Sequence, residues 1–208
     1  IPSTYSIFDN GEAIVGSDYS VVGIGDASEG TIGIFSDTDL TTITIPNSIT
    51  AIGEYAFNNC ATLDKIYFTG NINDWVNINF GNETANPMQN GADLYINDQL
   101  VTSVDINTST EVKDYAFTGS SIDNLIIGAQ VDSVGNNAFA NCENLNSVTI
   151  ENGVKNMGNY AFYNCTNLNS ITIPSSLETL GWCAFEGCSN LEEVHFEANS
   201  LLTYIDSY

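Results

Sequence analysis

The stretch LNSITIPSSLETLGWCAFEGCSN, Leu168 to Asn190, recurs along the chain with substitutions. LTTITIPNSITAIGEYAFNNCAT starts at Leu40, IDNLIIGAQVDSVGNNAFANCEN at Ile122, and LNSVTIENGVKNMGNYAFYNCTN at Leu145. A unit of 23 residues cannot bury its own apolar face. It must stack on its neighbours, so the repeat predicts an elongated solenoid with one continuous core.

Each unit opens on a strand with the pattern apolar-x-x-apolar-x-apolar. The triplets are Leu40/Ile43/Ile45, Leu63/Ile66/Phe68, Val101/Val104/Ile106, Ile122/Leu125/Ile127, Leu145/Val148/Ile150, Leu168/Ile171/Ile173 and Leu191/Val194/Phe196. The last two members are two residues apart, so they share one face of the pleat and point inward. A second apolar pair follows at Ile49/Ile52, Val131/Val134, Val154/Met157 and Leu177/Leu180. Next comes a glycine (Gly53, Gly135, Gly158, Gly181), expected where the backbone needs φ > 0 or close approach. An Ala-Phe pair closes the unit at 56–57, 116–117, 138–139, 161–162 and 184–185. One Phe per coil at fixed register predicts a stacked aromatic column, with the Ala letting coils approach.

Two units depart from this grammar. In the unit from Val101, Ser109 and Lys113 replace an apolar residue and the glycine, which predicts a locally irregular coil. The unit 63–100 is longer, 38 residues against 23. Within it Asn73-Asp74 is expected to cap a short helix carrying Trp75, Val76 and Ile78. Leu94–Ile96 reads as an extra strand that turns at Asn97-Asp98. Residues 1–39 lack the repeat and read as a small β-rich cap or the tail of a preceding module. Asn10-Gly11 there signals a hairpin, and Tyr19–Ile24 and Thr31–Phe35 read as strands. The last unit, 191–208, is incomplete, which predicts an edge open to further repeats, a cap or another copy. The abrupt ends suit a fragment of a longer precursor, with no signal segment at Ile1.

Charge narrows the partners. Three lysines, no arginine and 26 acidic residues give −23 on a 208-residue chain. Such a surface repels phosphate backbones and anionic headgroups, so nucleic acid and anionic membranes are excluded as partners. Cationic groups, neutral glycans and divalent ions stay open, and solubility alone also accounts for the acidity. No stretch approaches the ~20 apolar residues that span a bilayer.

The pattern LxxIxIPxSLxxLGxxAFxxCxxL, with its Gly-x-x-Ala-Phe-x-x-Cys core, closely resembles the BspA-like leucine-rich repeat over residues 40–208. The resemblance implies a right-handed curved solenoid, with short helical or irregular turns opposite the strands. It also implies secreted or surface-anchored bacterial or protozoan proteins that adhere to host matrix proteins, epithelia or other microbes. It supplies neither catalytic residues nor a ligand set.

Chemistry is hard to place on this chain. Cys60, Cys142, Cys165 and Cys188 each lie three residues after a repeat Phe, so they read as buried free thiols bonding loop carbonyls. Sulfurs one strand apart, ~5 Å, are too far for a disulfide between parallel Cβ vectors. Cys183 and Cys188 lack the spacing of a zinc site. The single histidine, His195, falls at an outward strand position beside Glu193 and reads as solvated. Asp26, Glu29, Asp37 and Asp39 lack a calcium-loop pattern and read as a solvated cluster. No catalytic residue, metal ligand or cofactor is assigned, and the chain is read as non-enzymatic.

The outward strand positions form two ladders: Thr42, Lys65, Ser103, Asn124, Ser147, Ser170, Glu193, and Thr44, Tyr67, Asp105, Ile126, Thr149, Thr172, His195. Ser and Thr dominate, as β-propensity alone explains. The monotony breaks at Lys65, Tyr67, Asp105 and Ile126, beside the insertion that carries Trp75 and Phe80. These six residues are the candidate ligand site, with Trp75 also readable as a core plug where the Ala-Phe turn is missing. The function expected is a surface or secreted module that binds host matrix proteins, mucosal surfaces or other cells through the solenoid face and inserted loop, its ligand a protein or a glycan. The alternatives are a structural spacer and a carbohydrate-binding module.

Overall fold

The computed structural model describes residues 7–9, 12–14, 23–25 and 33–205. β1 (Ile7–Asp9) and β2 (Glu12–Ile14) pair antiparallel with Asp9 opposite Glu12, the hairpin expected around Asn10-Gly11. The turn residues themselves, Tyr19–Val22, Thr31-Ile32 and the acids Asp26 and Glu29 lie outside the described residues. β3 is Gly23–Ile24, and Ile34–Asp37 forms a turn rather than the strand expected there.

From here the chain winds in coils that alternate a four-residue strand with a two-residue one. The first coil has β4 (Thr42–Ile45) and β5 (Ala51–Ile52), the second β6 (Lys65–Phe68) and β7 (Asn79–Phe80). β8 (Asp93–Ile96) is followed by a reversal into β9 (Gln99–Leu100). Regular winding resumes with β10 (Ser103–Ile106) and β11 (Glu111–Val112), then β12 (Asn124–Ile127) and β13 (Ser133–Val134). It continues with β14 (Ser147–Ile150) and β15 (Asn156–Met157), then β16 (Ser170–Ile173) and β17 (Thr179–Leu180). β18 (Glu193–Phe196) and β19 (Tyr204–Ile205) make the last coil.

The four-residue strands build a main face in three parallel segments, β4-β6-β8, β10-β12-β14 and β16-β18, with β9 antiparallel on the edge of the first. Pro174, which follows β16, has no amide to donate to the preceding coil, in line with the break between β14 and β16. The second apolar pairs, expected as helical or irregular turns, instead form their own parallel ladders, β3-β5-β7 and β11-β13-β15-β17-β19. From β5 to β17 each dipeptide buries only its second side chain, so two residues of strand suffice.

The core is the aromatic column expected. Phe117, Phe139, Phe162 and Phe185 stack at 5.5, 5.2 and 5.6 Å with interplanar angles of 3, 12 and 9°. Each such pair contributes about 0.5–1.5 kcal/mol beyond its buried area. Phe35 stacks on Phe57 at 5.2 Å, and its amide donates to the Ala56 carbonyl, so residues just before Leu40 already supply part of a coil. The repeat cysteines hang on the column's flank. Cys60, Cys142, Cys165 and Cys188 donate S–H to the carbonyls of Phe35, Phe117, Phe139 and Phe162 at 2.9, 3.1, 3.2 and 3.1 Å. All five cysteines are free thiols.

The repeat glycines answer to close approach. A Cβ on Gly158 would lie 2.6 Å from the Asn136 amide, and φ > 0 falls instead on Tyr55, Tyr115, Asn137, Tyr160 and Cys183, two residues later in each coil. The coil from Val101 is regular, contrary to expectation. β10 and β11 keep register with β12 and β13, because Ser109 is buried against Asn77, whose Nδ2 donates to Ser109 Oγ at 2.6 Å.

Candidate functional site

The helix of the long unit, α1 (Ile72–Trp75), starts two residues earlier than expected. Asn71 is the cap: its side chain accepts from the amides of Asn73 and Asp74, while Asp74 accepts from the Asn71 amide. This short helix drives Trp75 inward. Trp75 is fully buried, packs edge-on against Phe68 at 5.2 Å, and lies 5.7 Å from Phe80, itself 6% exposed. Its indole N–H donates to the Ala116 carbonyl at 2.8 Å. Trp75 and Phe80 therefore leave the exposed site: they fill the space where this unit lacks its Ala-Phe pair.

What reaches the surface is different. β8 inserts directly beside β6, so Lys65 stands opposite Asp93 and Tyr67 opposite Tyr95. The ladders expected from Lys65 to Ser103 and from Tyr67 to Asp105 are thus interrupted by a whole strand. Tyr67 and Tyr95 lie 5.2 Å apart with their rings tilted by 33°. The reversal after β8 uses Asn97 and Asp98 at φ 53° and 59°, residues that tolerate the left-handed region. It brings Leu100, 42% exposed, opposite Tyr95. Asp105 and Ile126 are neighbours of each other on β10 and β12, with Thr149 next in line.

Tyr95, Asp93 and Leu100 were missed although the signal was present. The strand 94–96 is legible, and the period-2 alternation that turns Tyr67 outward turns Tyr95 outward too. Only the assignment of β8 to the main face was lacking.

The electrostatics are one-sided. Lys65 Nζ is 3.8 Å from Asp64, Lys155 Nζ 2.8 Å from Asp132, and Lys113 pairs with Glu111, so each lysine already sits beside a carboxylate. Asp93 accepts from Ser121 Oγ at 2.7 Å. The site therefore presents two half-buried tyrosine rings and an exposed leucine in a strongly acidic surround.

Such a surface suits recognition. His195 and Glu193 are both exposed and 3.0 Å apart on β18, while Cys183 lies in the turn after β17. Among the described residues no group of three or more His, Cys, Asp or Glu is placed to hold a metal ion. Asp37 instead accepts from Ser36 Oγ and Asn59 Nδ2. No helix among the described residues is long and apolar enough to cross a membrane.

A family model described as the BspA type leucine-rich repeat region matches residues 31–89 and 97–208 in six copies. The unmatched gap, 90–96, covers all of β8. No curated protein sequence matches the chain. Among solved structures, the leucine-rich repeat protein of T. pallidum is 21% identical with a TM-score of 0.50, covering 74% of this chain and 69% of that one. A leucine-rich repeat protein from Bacteroides capillosus is 28% identical with a TM-score of 0.44 over 47% of this chain and 78% of its own. A leucine-rich cell surface protein from Faecalibacterium prausnitzii is 16% identical with a TM-score of 0.33, covering 94% and 89%.

Proposed function

Because the chain belongs to the BspA-type leucine-rich repeat family, we propose that it is a non-enzymatic adhesion module. It acts outside the cell, on a bacterial surface or in secreted form, and binds host matrix or mucosal proteins through the main face. The observation that carries this reading is the Tyr67–Tyr95 pair. It interrupts a Ser/Thr face, where paired aromatics supply contact area and hydroxyl donors at small entropic cost. Lys65, Asp93 and Leu100 complete the contact, and Asp105 and Ile126 extend it across the next coils.

The test is binding to immobilised fibronectin, fibrinogen and mucin, alongside a glycan array. Binding to a matrix protein that Tyr67→Ala lowers at least about tenfold, the effect of an interface anchor, supports the reading. Absence of binding across both panels would leave a structural spacer, and turnover on glycans would make the protein an enzyme.

Edge contact between copies belongs to the same proposal. Val194, Phe196 and Ile205 are 43, 50 and 58% exposed, whereas their partners one coil earlier, Ile171, Ile173 and Leu180, are buried.

A further inference from the structure

From β4 onward every coil but one contributes a strand to both ladders. β8 reverses into β9 instead of crossing over, so the second ladder passes from β7 to β11 with one rung left out. In the intact stretches each coil's amides donate to carbonyls of the coil before. Asn79 donates to Thr50 at 2.9 Å, Gly81 to Ile52 at 2.9 Å, Asp132 to Thr110 at 2.7 Å and Gly135 to Val112 at 2.8 Å. By this register the carbonyls of Ile78 and Phe80 are the next acceptors, and no amide reaches either among the described residues. On the facing wall the Lys113 amide is taken by the Val76 carbonyl at 3.0 Å, while the Glu111 amide, counterpart of Asn79, has no acceptor among the described residues. The walls enclose a groove of about 350 Å³ lined by Asn79, Phe80, Glu111, Val112, Asp114 and Ser133.

We propose that this groove seats a short extended segment of a basic partner protein as the missing rung. The segment's amides donate to the Ile78 and Phe80 carbonyls, and one of its carbonyls accepts from Glu111. This is strand addition at an open sheet edge, where main-chain bonds give affinity and alternate side chains give selectivity. The native rungs, such as Ser133–Val134 and Thr179–Leu180, run polar then aliphatic. The inward residue must be small or aliphatic, because Phe80 and Val112, 6% and 2% exposed, form the floor. Flanking lysine or arginine matches Asp114 on the rim and the net charge of −23, since Lys113 is already neutralised by Glu111. The site lies on the second ladder and is independent of the tyrosine face.

The test is ¹H–¹⁵N NMR of the whole chain titrated with the capped peptide acetyl-Lys-Ser-Val-Gly-Lys-amide at millimolar concentration. Saturable shifts confined to residues 78–81, 110–114 and 133–135 are expected. Peptides N-methylated one position at a time should include at least one that binds about tenfold more weakly, the loss of one main-chain hydrogen bond. Exchanging both lysines for glutamate should abolish the shifts. No saturable shift, shifts elsewhere, or equal binding by every N-methylated and the acidic peptide would each overturn the proposal.

Discussion

Trp75 donates its indole N–H to the carbonyl of Ala116 at 2.8 Å, and that bond replaces a rung of backbone. In regular coils the Ala carbonyl of each Ala-Phe pair accepts the Phe amide of the coil before, as Ala138 does from Phe117 at 2.7 Å and Ala161 from Phe139 at 2.9 Å. The long unit has no such Phe. Its Trp75 and the Asn86 side chain, which donates to Ala116 at 3.1 Å and also to Tyr115 at 2.7 Å, satisfy the orphaned Ala116 carbonyl. The insertion is thus spliced into the solenoid by two side chains.

Replacing either should weaken the whole fold. Trp75→Phe removes a buried donor and should cost about 1–3 kcal/mol, and Trp75→Ala about 3–5 kcal/mol through its cavity. Asn86→Ala, which removes a fully buried side chain bonded to the Tyr115 and Ala116 carbonyls, belongs with the first. Urea denaturation followed by intrinsic fluorescence or circular dichroism measures all three; a neutral Trp75→Ala would mean that the residue is not a plug.

The left-handed positions make a sharper contrast. Asn164, at φ 57°, precedes Cys165 as Gly187 precedes Cys188, and its Nδ2 donates to Asn141 Oδ1 at 3.1 Å. Asn164→Gly should lose only that part-buried hydrogen bond, about 0.5–1.5 kcal/mol, whereas Asn164→Ala should lose it and cost a further ~1–2 kcal/mol for the left-handed backbone. Gly158→Ala should cost about 1–3 kcal/mol, because the obstructing atom is backbone. Thermal melts rank the three, and equal effects for Gly and Ala at 164 would contradict the conformational argument.

Much of this was legible in the sequence because repetition carries it. The Phe column, the cysteine flank and the main-face strands all follow from residues recurring at fixed register, and a 23-residue period leaves few ways to stack. What was not legible depends on neighbours in space. Two-residue strands such as Thr179–Leu180 have no periodicity to read, so the second ladder appears only once coils stack. Both readings of Trp75, ligand contact and core plug, were open in the sequence; the helix start at Asn71, which turns the indole into the core, decides for the plug. The Tyr67–Tyr95 pair required knowing that β8 lies beside β6, across 27 residues of chain.

The thiols set a pH limit. Burial pushes Cys142 up to about 12, while the neighbouring Cys188 thiol raises Cys165 by its hydrogen bond and is itself lowered by it, so Cys142 carries the effect. A thiol whose folded pKa exceeds its unfolded value near 9 contributes stability that is complete below pH 9 and is lost as pH rises toward 12. At pH 10 Cys142 alone should cost about 1.4 kcal/mol. Melting temperature should fall between pH 9 and 10.5, and less steeply in Cys142→Ala. A slope unchanged by that substitution would contradict the assignment. Ellman titration of denatured, unreduced protein should count five thiols.

Self-contact at the last coil should depend on salt. A net charge of −23 keeps copies apart at low ionic strength, whereas screening should let the exposed Val194, Phe196 and Ile205 associate. Light scattering at high protein concentration should show mass rising with salt, and Ile205→Lys should suppress it. A strict monomer throughout would remove edge contact from the account.

The central claim is that recognition resides on the main face where β8 enters. The most direct measurement is biolayer interferometry against whichever matrix protein binds the wild type, comparing the double substitution Tyr67→Ser/Tyr95→Ser with Tyr160→Ser, a half-buried tyrosine on the turn side. The account predicts at least about a hundredfold loss for the double variant, two anchors at about 1.4 kcal/mol each, with the Tyr160 variant within threefold of wild type, less than about 0.7 kcal/mol. Undiminished binding by a correctly folded double variant, or an equal loss from Tyr160→Ser, would contradict it.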